Sequence, residues 1–337
     1  MRIGLVGAGR TGTLHARTLS AHPEVTELVV ADADPMRAVE AAAALDATPV
    51  PGVRELLELD IHALVVATAP EAQAGLLTAA ARRGLPAFCE TPLAPDAEGT
   101  REVLAEVAAA GTLLQAGFPR RFDAGHAAAR DAVRSGRLGR LHTVRALTSA
   151  PTPPFTGHAP CPGGLFRHCL VHDIDAVRWV TGREIVSVYA TGAPGGADGG
   201  ERETQPDTVA TLLTLDDGGL CTLTGTRRNG AGYDMRMELA GERDQIAVGL
   251  DVHTPLSSVE PAAPPGVAER AWPGFLDRFG PAYEAQLAAF VRALRGQIPN
   301  PCDGRQALAA VLVAESCERS RLTGAPVRPA ALDSVPL

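Results

Sequence analysis

The side chains best suited to acid–base chemistry lie in the stretch 163–182, which reads as a glycine loop followed by a helix that ends at Gly182. Polar and aromatic residues spaced by whole helical turns share one face of that helix: His168, His172, Asp175 and Trp179. An apolar stripe on another face should pack into a core: Leu170, Ile174 and Val177. Imidazoles titrate near neutral pH, so the polar face could take and return protons. Partly exposed polar residues on an ordinary helix would give the same pattern, and the stretch alone leaves both interpretations open.

The spacing of His168 and His172 would also suit two metal ligands. Zinc requires three or four ligands, and Cys169 points to a different face of the helix. A further ligand would have to come from the loop 151–164, where His158 and Cys161 are the candidates. We therefore expect no metal at this helix.

A nucleotide-binding motif opens the chain. Gly7, Gly9 and Gly12 form a Gly-x-Gly-x-x-Gly turn between an apolar strand and a helix predicted over Thr11–Ser20. The glycines permit a tight turn, close approach of a pyrophosphate and packing of the helix on the strand. The helix N-terminus offers unpaired N–H groups to phosphate, so we expect contacts from Arg10 and Thr11 as well.

The next strand, predicted over 27–31, ends at Asp32. An acidic residue at this place hydrogen-bonds the adenosine ribose and repels a 2'-phosphate, which favours NAD over NADP. Arg37 follows closely and leaves room for NADP. The alternative for Asp32 is a helix N-cap before Pro35.

Strands and helices then alternate up to residue 117, which is typical of a doubly wound parallel sheet. Ligands bind such sheets beyond the carboxyl ends of the strands. Besides the glycine turn and Asp32, three strand ends are therefore candidate cofactor contacts, and their residues are Thr68, Pro70, Glu90, Thr91, Pro92 and the segment 117–119. His15, on the first helix, is expected to serve packing.

The rhythm changes from residue 122 onward. A helix over 123–135 leads into apolar alternating strands joined by glycine-rich turns, which predicts a mainly antiparallel sheet. Such a sheet leaves one face open, and an open face often becomes a subunit interface. We predict an α/β protein with a nucleotide-binding Rossmann domain over 1–121 and an α+β substrate and oligomerisation domain over 122–337.

Composition excludes several classes of function. The net charge of −8, without a basic stripe, argues against nucleic acid as a partner, and no apolar run is long enough to span a membrane. The six cysteines lack zinc-like spacing, so a cytoplasmic setting is the simplest expectation. All 31 cationic side chains are arginines, which excludes Schiff-base chemistry and any lysine acid or base.

Several motifs in order resemble the glucose–fructose oxidoreductase/inositol dehydrogenase/MocA family, most closely its inositol 2-dehydrogenase branch. The resemblance covers nearly the whole chain, and the segments that carry it are 7–12, 89–93, 117–123, 163–182, 230–238 and 279–283. It implies NAD(P) on the first domain, a small polar substrate held by an open sheet, and assembly into a homodimer or homotetramer. Members oxidise or reduce a carbinol of a sugar or inositol.

The chain departs from the family pattern at its expected catalytic residues. The family has Glu-Lys-Pro where this chain has Thr91 between Glu90 and Pro92, and it has aspartate where this chain has His168. His172 matches the family's acid/base histidine. Neutral His168 cannot stabilise an imidazolium as aspartate would, and Thr91 supplies hydrogen bonds without charge.

The substrate contacts that we expect come from strand ends and from segments that border the pocket in relatives: Arg120, Arg121, His126, His158, Asn229 and Tyr233. His126 replaces a tyrosine of the family pattern, and the two arginines could equally form surface ion pairs. Three functions fit these residues. The first is an NAD-dependent dehydrogenase that uses His172. The second is a redox-neutral lyase, epimerase or cyclase that retains the nucleotide, and the third is a non-catalytic nucleotide sensor.

Overall fold

The computed structural model describes residues 1–151, 164–193, 206–259, 271–330 and 332. These residues form two compact units. Unit 1 takes its described residues from 1–122, 281–309 and 332, and unit 2 takes them from 123–280 and 310–330. The predicted boundary near residue 121 differs from this division in one respect, because 281–309 belong with the first unit.

Unit 1 is built on a parallel sheet of six strands in the order β3-β2-β1-β4-β5-β6. The strands are β1 (Arg2–Val6), β2 (Glu27–Ala31), β3 (Thr48–Pro49), β4 (Ala63–Val66), β5 (Ala87–Glu90) and β6 (Leu114–Gly117). The helices that alternate with them are α1 (Arg10–Ser20), α2 (Pro35–Ala43), α3 (Val53–Glu58), α4 (Pro70–Arg82) and α5 (Ala97–Ala110). Every strand pair is parallel, and the predicted doubly wound sheet is confirmed.

The core of unit 1 explains why the chain returns to it near its end. The strands present residues such as Ile3, Val30 and Val65, none of which is exposed to solvent. Leu287, on helix α8 (Phe275–Leu294), belongs to the same buried cluster, as do its helix neighbours Phe290 and Val291. Burial of three large apolar side chains from one helix face fixes that part of α8 in unit 1.

The last two helices compare differently with their predicted bounds. Amphipathic patterns in the sequence predict two helices near 281–295 and 304–322. In the structure α8 begins at Phe275, so Pro281 lies inside it. The last helix, α9 (Gly304–Thr323), begins at the predicted residue.

Unit 2 contains a six-stranded sheet in the order β12-β11-β7-β10-β9-β8. The strands are β7 (Leu141–Ser149), β8 (Ile185–Ala193), β9 (Thr208–Leu215), β10 (Leu220–Thr226), β11 (Asp234–Gly241) and β12 (Gln245–Val248). Only the pairing of β7 with β10 is parallel among these strands, so the predicted, mainly antiparallel sheet is confirmed. Helix α6 (Ala124–Arg134) precedes the sheet, and a π-helical turn (Phe166–Leu170) leads directly into α7 (Val171–Thr181).

Among the described residues, no helix is both long enough and apolar enough to cross a bilayer.

Candidate functional site

Two glycines of the first turn have no room for a side chain. Gly7 has a φ of +100°, and a Cβ there would lie 2.4 Å from the carbonyl oxygen of Ala67. A Cβ on Gly12 would lie 1.8 Å from the carbonyl oxygen of Gly7, so α1 packs on the strand end only because residue 12 is glycine. The tight turn and the close helix packing predicted for the motif are both present.

Gly9 lacks a side chain for a different reason. A Cβ at this position would meet no heavy atom of the protein within 4 Å, so packing does not require glycine there. Within the described residues, no side chain caps the first turn of α1, and that turn carries no acidic residue. Open space in front of the N–H groups of a first helical turn is what a pyrophosphate needs.

Asp32 lies against this turn with both carboxylate oxygens bonded. Oδ2 accepts a hydrogen bond from the N–H of Ala8 at 2.6 Å, and Oδ1 accepts one from the N–H of Asp34 at 2.9 Å. The helix cap that was the alternative role for Asp32 is filled by Asp34, which accepts from the N–H of Met36 at 3.0 Å. Arg37 is exposed, and its Nε lies 3.7 Å from Asp34.

The ends of β4 and β5 carry the other predicted cofactor residues. The hydroxyl of Thr68 donates to the carbonyl of Ala69 at 3.3 Å, and Pro70 is the first residue of α4. Thr91 donates from its hydroxyl to the carbonyl of Gly117 at 3.3 Å. The bond between Thr91 and Pro92 is cis.

Glu90 has a partner that the sequence did not identify. Its Oε1 lies 2.6 Å from Nε2 of His15, which is completely buried on α1. Burial, followed by the negative charge of Glu90, raises the pKa of the neighbouring Cys89 thiol well above its usual value. The prediction that His15 serves packing therefore misses its contact with a strand end of the candidate cofactor site.

Unit 1 offers what a dinucleotide needs. Gly9 leaves space for a pyrophosphate, the first turn of α1 offers N–H groups, and Asp32 holds a carboxylate beside the turn. The residues present fit NAD, and Gly7, Gly9, Gly12 and Asp32 are those that would hold it.

In unit 2 the two histidines lie on either side of a change in helix type. His168 belongs to the π-helical turn and His172 to α7, and both are half-buried. A π-helical turn contains more residues than an α-helical turn, so the offset between the two rings differs from the α-helical spacing on which the prediction relied. Asp175, predicted on the same face, is completely buried. The apolar stripe of Leu170, Ile174 and Val177 is buried as predicted.

The residue after His172 has a structural role that the sequence analysis did not predict. Asp173 is completely buried and accepts hydrogen bonds from the hydroxyl of Thr148 on β7, at 3.0 and 2.9 Å for its two oxygens. Burial, with the charge of Asp173 adding to it, raises the pKa of the Cys221 thiol to about 12. A carboxylate directly beside the candidate acid/base histidine was the available signal in the sequence.

The alternative of surface ion pairs at the two arginines is wrong because both side chains are buried, and their contact with substrate stays a prediction. Arg120 and Arg121 are both buried, at 4% and 9% exposure. Arg121 donates to the carbonyl of Pro301 at 3.5 Å and to the side-chain oxygen of Gln306 at 3.1 Å. These bonds hold the 3-10 turn after β6 to the start of α9, so Arg121 serves the fold of unit 1.

His126 is likewise part of a buried network within unit 2. Its Nδ1 lies 2.7 Å from Oδ2 of Asp123, and Arg278 donates to the other oxygen of Asp123 at 2.8 Å. Burial works to raise the pKa of Asp123, but the hydrogen bonds from His126 and Arg278 outweigh it and hold the pKa well below its usual range. Complete burial and the bond to Asp123 give the His126 ring a structural role in unit 2, and its contact with substrate stays a prediction.

Of the remaining predicted substrate residues, Asn229 forms a turn by donating to the carbonyl of Gly232 at 2.8 Å. Tyr233 is buried and its N–H donates to the carbonyl of Trp272 at 3.0 Å. Tyr233 lines a cavity of about 10 Å³ together with His253 and Trp272, whose rings are tilted by 44° with their centroids 4.1 Å apart. A void of that size holds one water. His158 lies outside the described residues.

Comparison with known proteins agrees with this architecture. Residues 1–118 match the oxidoreductase family with an NAD-binding Rossmann fold, and residues 126–247 match the GFO/IDH/MocA C-terminal domain. The myo-inositol dehydrogenase Hyg17 of Streptomyces leeuwenhoekii is 37% identical, over 98% of this chain and 100% of that protein. The inositol 2-dehydrogenase of Rhizobium meliloti is 33% identical, over 95% of this chain and 96% of that protein.

A solved structure gives the same result for the fold. The crystal structure of a myo-inositol dehydrogenase from Corynebacterium glutamicum is 30% identical and superposes with a TM-score of 0.85, covering 98% of this chain and 99% of that one. Two domain matches in the expected order and relatives that are similar along their whole length confirm the predicted family and the predicted cofactor. The chain belongs to the GFO/IDH/MocA family and is an oxidoreductase that uses NAD.

Proposed function

We propose that the protein oxidises a secondary alcohol of an inositol or a closely related cyclitol, with NAD as the acceptor and His172 as the acid/base. The similarity to a myo-inositol dehydrogenase over the full length of both chains carries this proposal. The nucleotide turn of unit 1 and the half-buried imidazole of unit 2 supply the chemistry that such a reaction requires.

NAD, when bound, accepts the hydride from the carbinol carbon. The work of the chain is to bind that cofactor through the glycine turn and Asp32 and to receive the hydroxyl proton. His172 takes this proton, a contribution typically worth about 10²- to 10⁴-fold in rate. The hydrogen bonds from Thr148 to Asp173 anchor the start of α7 to β7, and this anchor holds the backbone of His172 in place.

Thr91 and His168, which stand where the family pattern has lysine and aspartate, do not supply the charges of those residues. Thr91 offers a hydroxyl without charge, and His168 can hydrogen-bond but does not compensate a protonated partner as a carboxylate would. His172 therefore carries the proton transfer without a lysine, because the chain contains none. We propose the predicted substrate contacts as well, from Arg120, Arg121, His158, Asn229 and Tyr233.

The experiment that tests this function follows NADH absorbance on the purified chain with NAD and a panel of inositols, aldoses and ketoses. We expect NADH formation with one or more inositols. His172→Ala should lose about 10²- to 10⁴-fold in kcat, while NADH affinity measured by fluorescence stays within a few-fold of the parent. His142→Ala, at an exposed position on β7, is the matched control and should keep its rate. NADH binding without turnover of any panel member would contradict the proposal and favour redox-neutral chemistry.

We propose further that the open face of the unit 2 sheet joins copies of the chain into a homodimer or homotetramer. Large apolar side chains lie exposed on β8, β9 and β10: Val186, Tyr189, Leu212 and Leu220, each 43–47% exposed. Tyr189 and Leu212 are directly paired across neighbouring strands, so they form a continuous patch. A patch of this kind on a sheet face is what an interface between subunits covers.

The proposed setting is the cytoplasm. Five cysteines are free among the described residues: Cys89, Cys169, Cys221, Cys302 and Cys317. Free, mostly buried thiols are typical of proteins that work in a reducing compartment.

A further inference from the structure

His15 is a buried titratable side chain that the proposed reaction does not use. It lies on α1, one turn after Gly12, and no part of it is exposed to solvent. Its Nε2 lies 2.6 Å from Oε1 of Glu90, the last residue of β5. The contact joins the helix that begins at the glycine turn to a second strand end of the cofactor site.

Two aromatic rings fix the orientation of the His15 imidazole. The ring packs edge-on against Phe88, with centroids 5.4 Å apart and planes at 82°, and it lies 5.8 Å from the ring of Tyr283. Phe88 and Glu90 are two residues apart on β5, so their side chains leave the strand on the same side. The imidazole therefore packs on one of them and bonds the other, which aims Nε2 at the carboxylate.

The Glu90 carboxylate is nearly buried, with 12% of its side chain exposed, and such a group needs a hydrogen-bond partner. In the described part of the chain, His15 is the side chain that bonds it. The other carboxylate oxygen lies over Gly117, where a Cβ would come within 2.9 Å of it. The ends of β5 and β6 and the start of α1 thus meet at one hydrogen-bonded pair.

We propose that His15 is a positioning residue for the cofactor: through Glu90 it fixes the end of β5 relative to the phosphate-binding turn of α1. Elements that are already ordered lose less conformational freedom when a ligand binds, so His15 strengthens NAD binding through Glu90 without itself touching the dinucleotide. This role concerns the cofactor alone, and it stands or falls independently of which alcohol is oxidised.

The test is titration of the full chain with NADH, followed by fluorescence. His15→Leu should raise the Kd for NADH by about tenfold, which is within the usual coupling between residues of one hydrogen-bond network. Glu90→Leu should have a similar effect, and the double variant should bind no worse than either single variant. His15→Gln and Glu90→Gln keep a donor and an acceptor respectively, so each should bind within a few-fold of the parent.

A second buried histidine provides the matched control. His126→Leu removes an imidazole bonded to Asp123 at 2.7 Å in unit 2, and it should leave the Kd for NADH unchanged. An unchanged Kd in His15→Leu, additive effects in the double variant, or an equal effect of His126→Leu would each overturn the proposal. If His15→Leu does not fold, the NADH affinity of Glu90→Leu tests the proposal, because Glu90 is less buried than His15. Unchanged affinity in that variant overturns the proposal as well.

Discussion

Asp32, the predicted ribose contact, also holds the turn before α1. Its two oxygens accept from the N–H groups of Ala8 and Asp34, so the carboxylate is oriented by the main chain on both sides. A negative charge fixed at this place disfavours the additional phosphate of NADP, and the exposed Arg37 nearby would favour it. The preference between the two cofactors therefore depends on the balance between the charges of Asp32 and Arg37.

The first prediction concerns that preference. Asp32→Ser removes the charge and shortens the side chain, so NAD affinity should fall by about tenfold, since hydrogen bonds to charged groups contribute about 1.5–3 kcal/mol. Affinity for NADP should rise relative to NAD, because the repulsion is gone. The Kd values of NADH and NADPH, measured by fluorescence, check both changes. Asp34→Ser, which keeps an N-cap on α2, is the control and should retain the preference for NAD.

At the scale of single residues, the sequence identified the glycines and Asp32 because their roles depend on position along the chain. It did not predict the buried partners of His126 and Arg121, because residue type does not show which way a side chain points or what covers it. His126 is completely buried beside Asp123, and Arg121 bonds Pro301 and Gln306, which lie far away in the sequence. Contacts over such separations have no local signal.

The start of α7 is the element that carries the candidate acid/base, and a buried hydrogen bond anchors it to β7. Thr148→Val should remove the hydroxyl donor to the buried carboxylate of Asp173. We expect a loss of about 1–3 kcal/mol in the free energy of unfolding, measured by urea denaturation. Thr211→Val is the matched control. It replaces a buried hydroxyl for which the described residues offer no partner, and its effect should be close to zero.

Equal stability of the Thr148 and Thr211 variants would show that the bond does not anchor α7. A fall in the free energy of unfolding for Thr148→Val alone would support the Thr148–Asp173 hydrogen bond as the anchor of α7. The π-helical turn before α7 lies outside what the sequence could predict, since apolar periodicity does not distinguish one wider turn from an α-helical one.

The N-terminus of α6 gives a prediction about pH. Asp123 caps this helix and is bonded by His126 and Arg278, and its pKa in the folded protein lies below its usual value. A carboxylate with a lowered pKa stabilises the fold above its unfolded pKa of about 3.9, and this contribution is lost as the pH falls through the folded value. Stability should therefore decline as the pH drops below about 4.

Urea denaturation at a series of acidic pH values measures this decline. Asp123→Asn should be less stable at neutral pH and should lose less stability on acidification than the parent, because the titrating group is gone. Asp244→Asn is the comparison at a surface position, where the carboxylate also has a lowered pKa but lies partly exposed next to Arg137. Parallel acid profiles for Asp123→Asn and the parent would contradict the assignment.

At the scale of the whole molecule, alternation of strands and helices predicted the first sheet, and apolar alternation within strands joined by glycine-rich turns predicted the second. The short elements β3 and α3, two and six residues long, were not predicted, since neither repeats a pattern. The assignment of 281–309 to unit 1 was not predicted either. Leu287 and Phe290 join a core formed by the opposite end of the chain, and only tertiary packing decides that.

The open sheet gives a prediction at this scale. Leu212→Glu places a charge in the middle of the exposed patch, where it would have to be desolvated in an interface. Sedimentation should show the parent as a dimer or tetramer and the variant shifted toward monomer. Thr222→Glu, paired with Leu212 in the register of β9 with β10, should act in the same way. A parent that sediments as a monomer would exclude the proposed interface.

The most direct test of the central claim is the transfer of hydrogen from substrate to cofactor. The protein is incubated with NAD and an inositol deuterated at its carbinol carbons, and the nicotinamide product is analysed by mass spectrometry. The proposed function predicts one deuterium in each NADH formed, at a rate slower than with unlabelled substrate. Loss of deuterium to water without net NADH, or NADH without deuterium, would contradict direct oxidation of the alcohol.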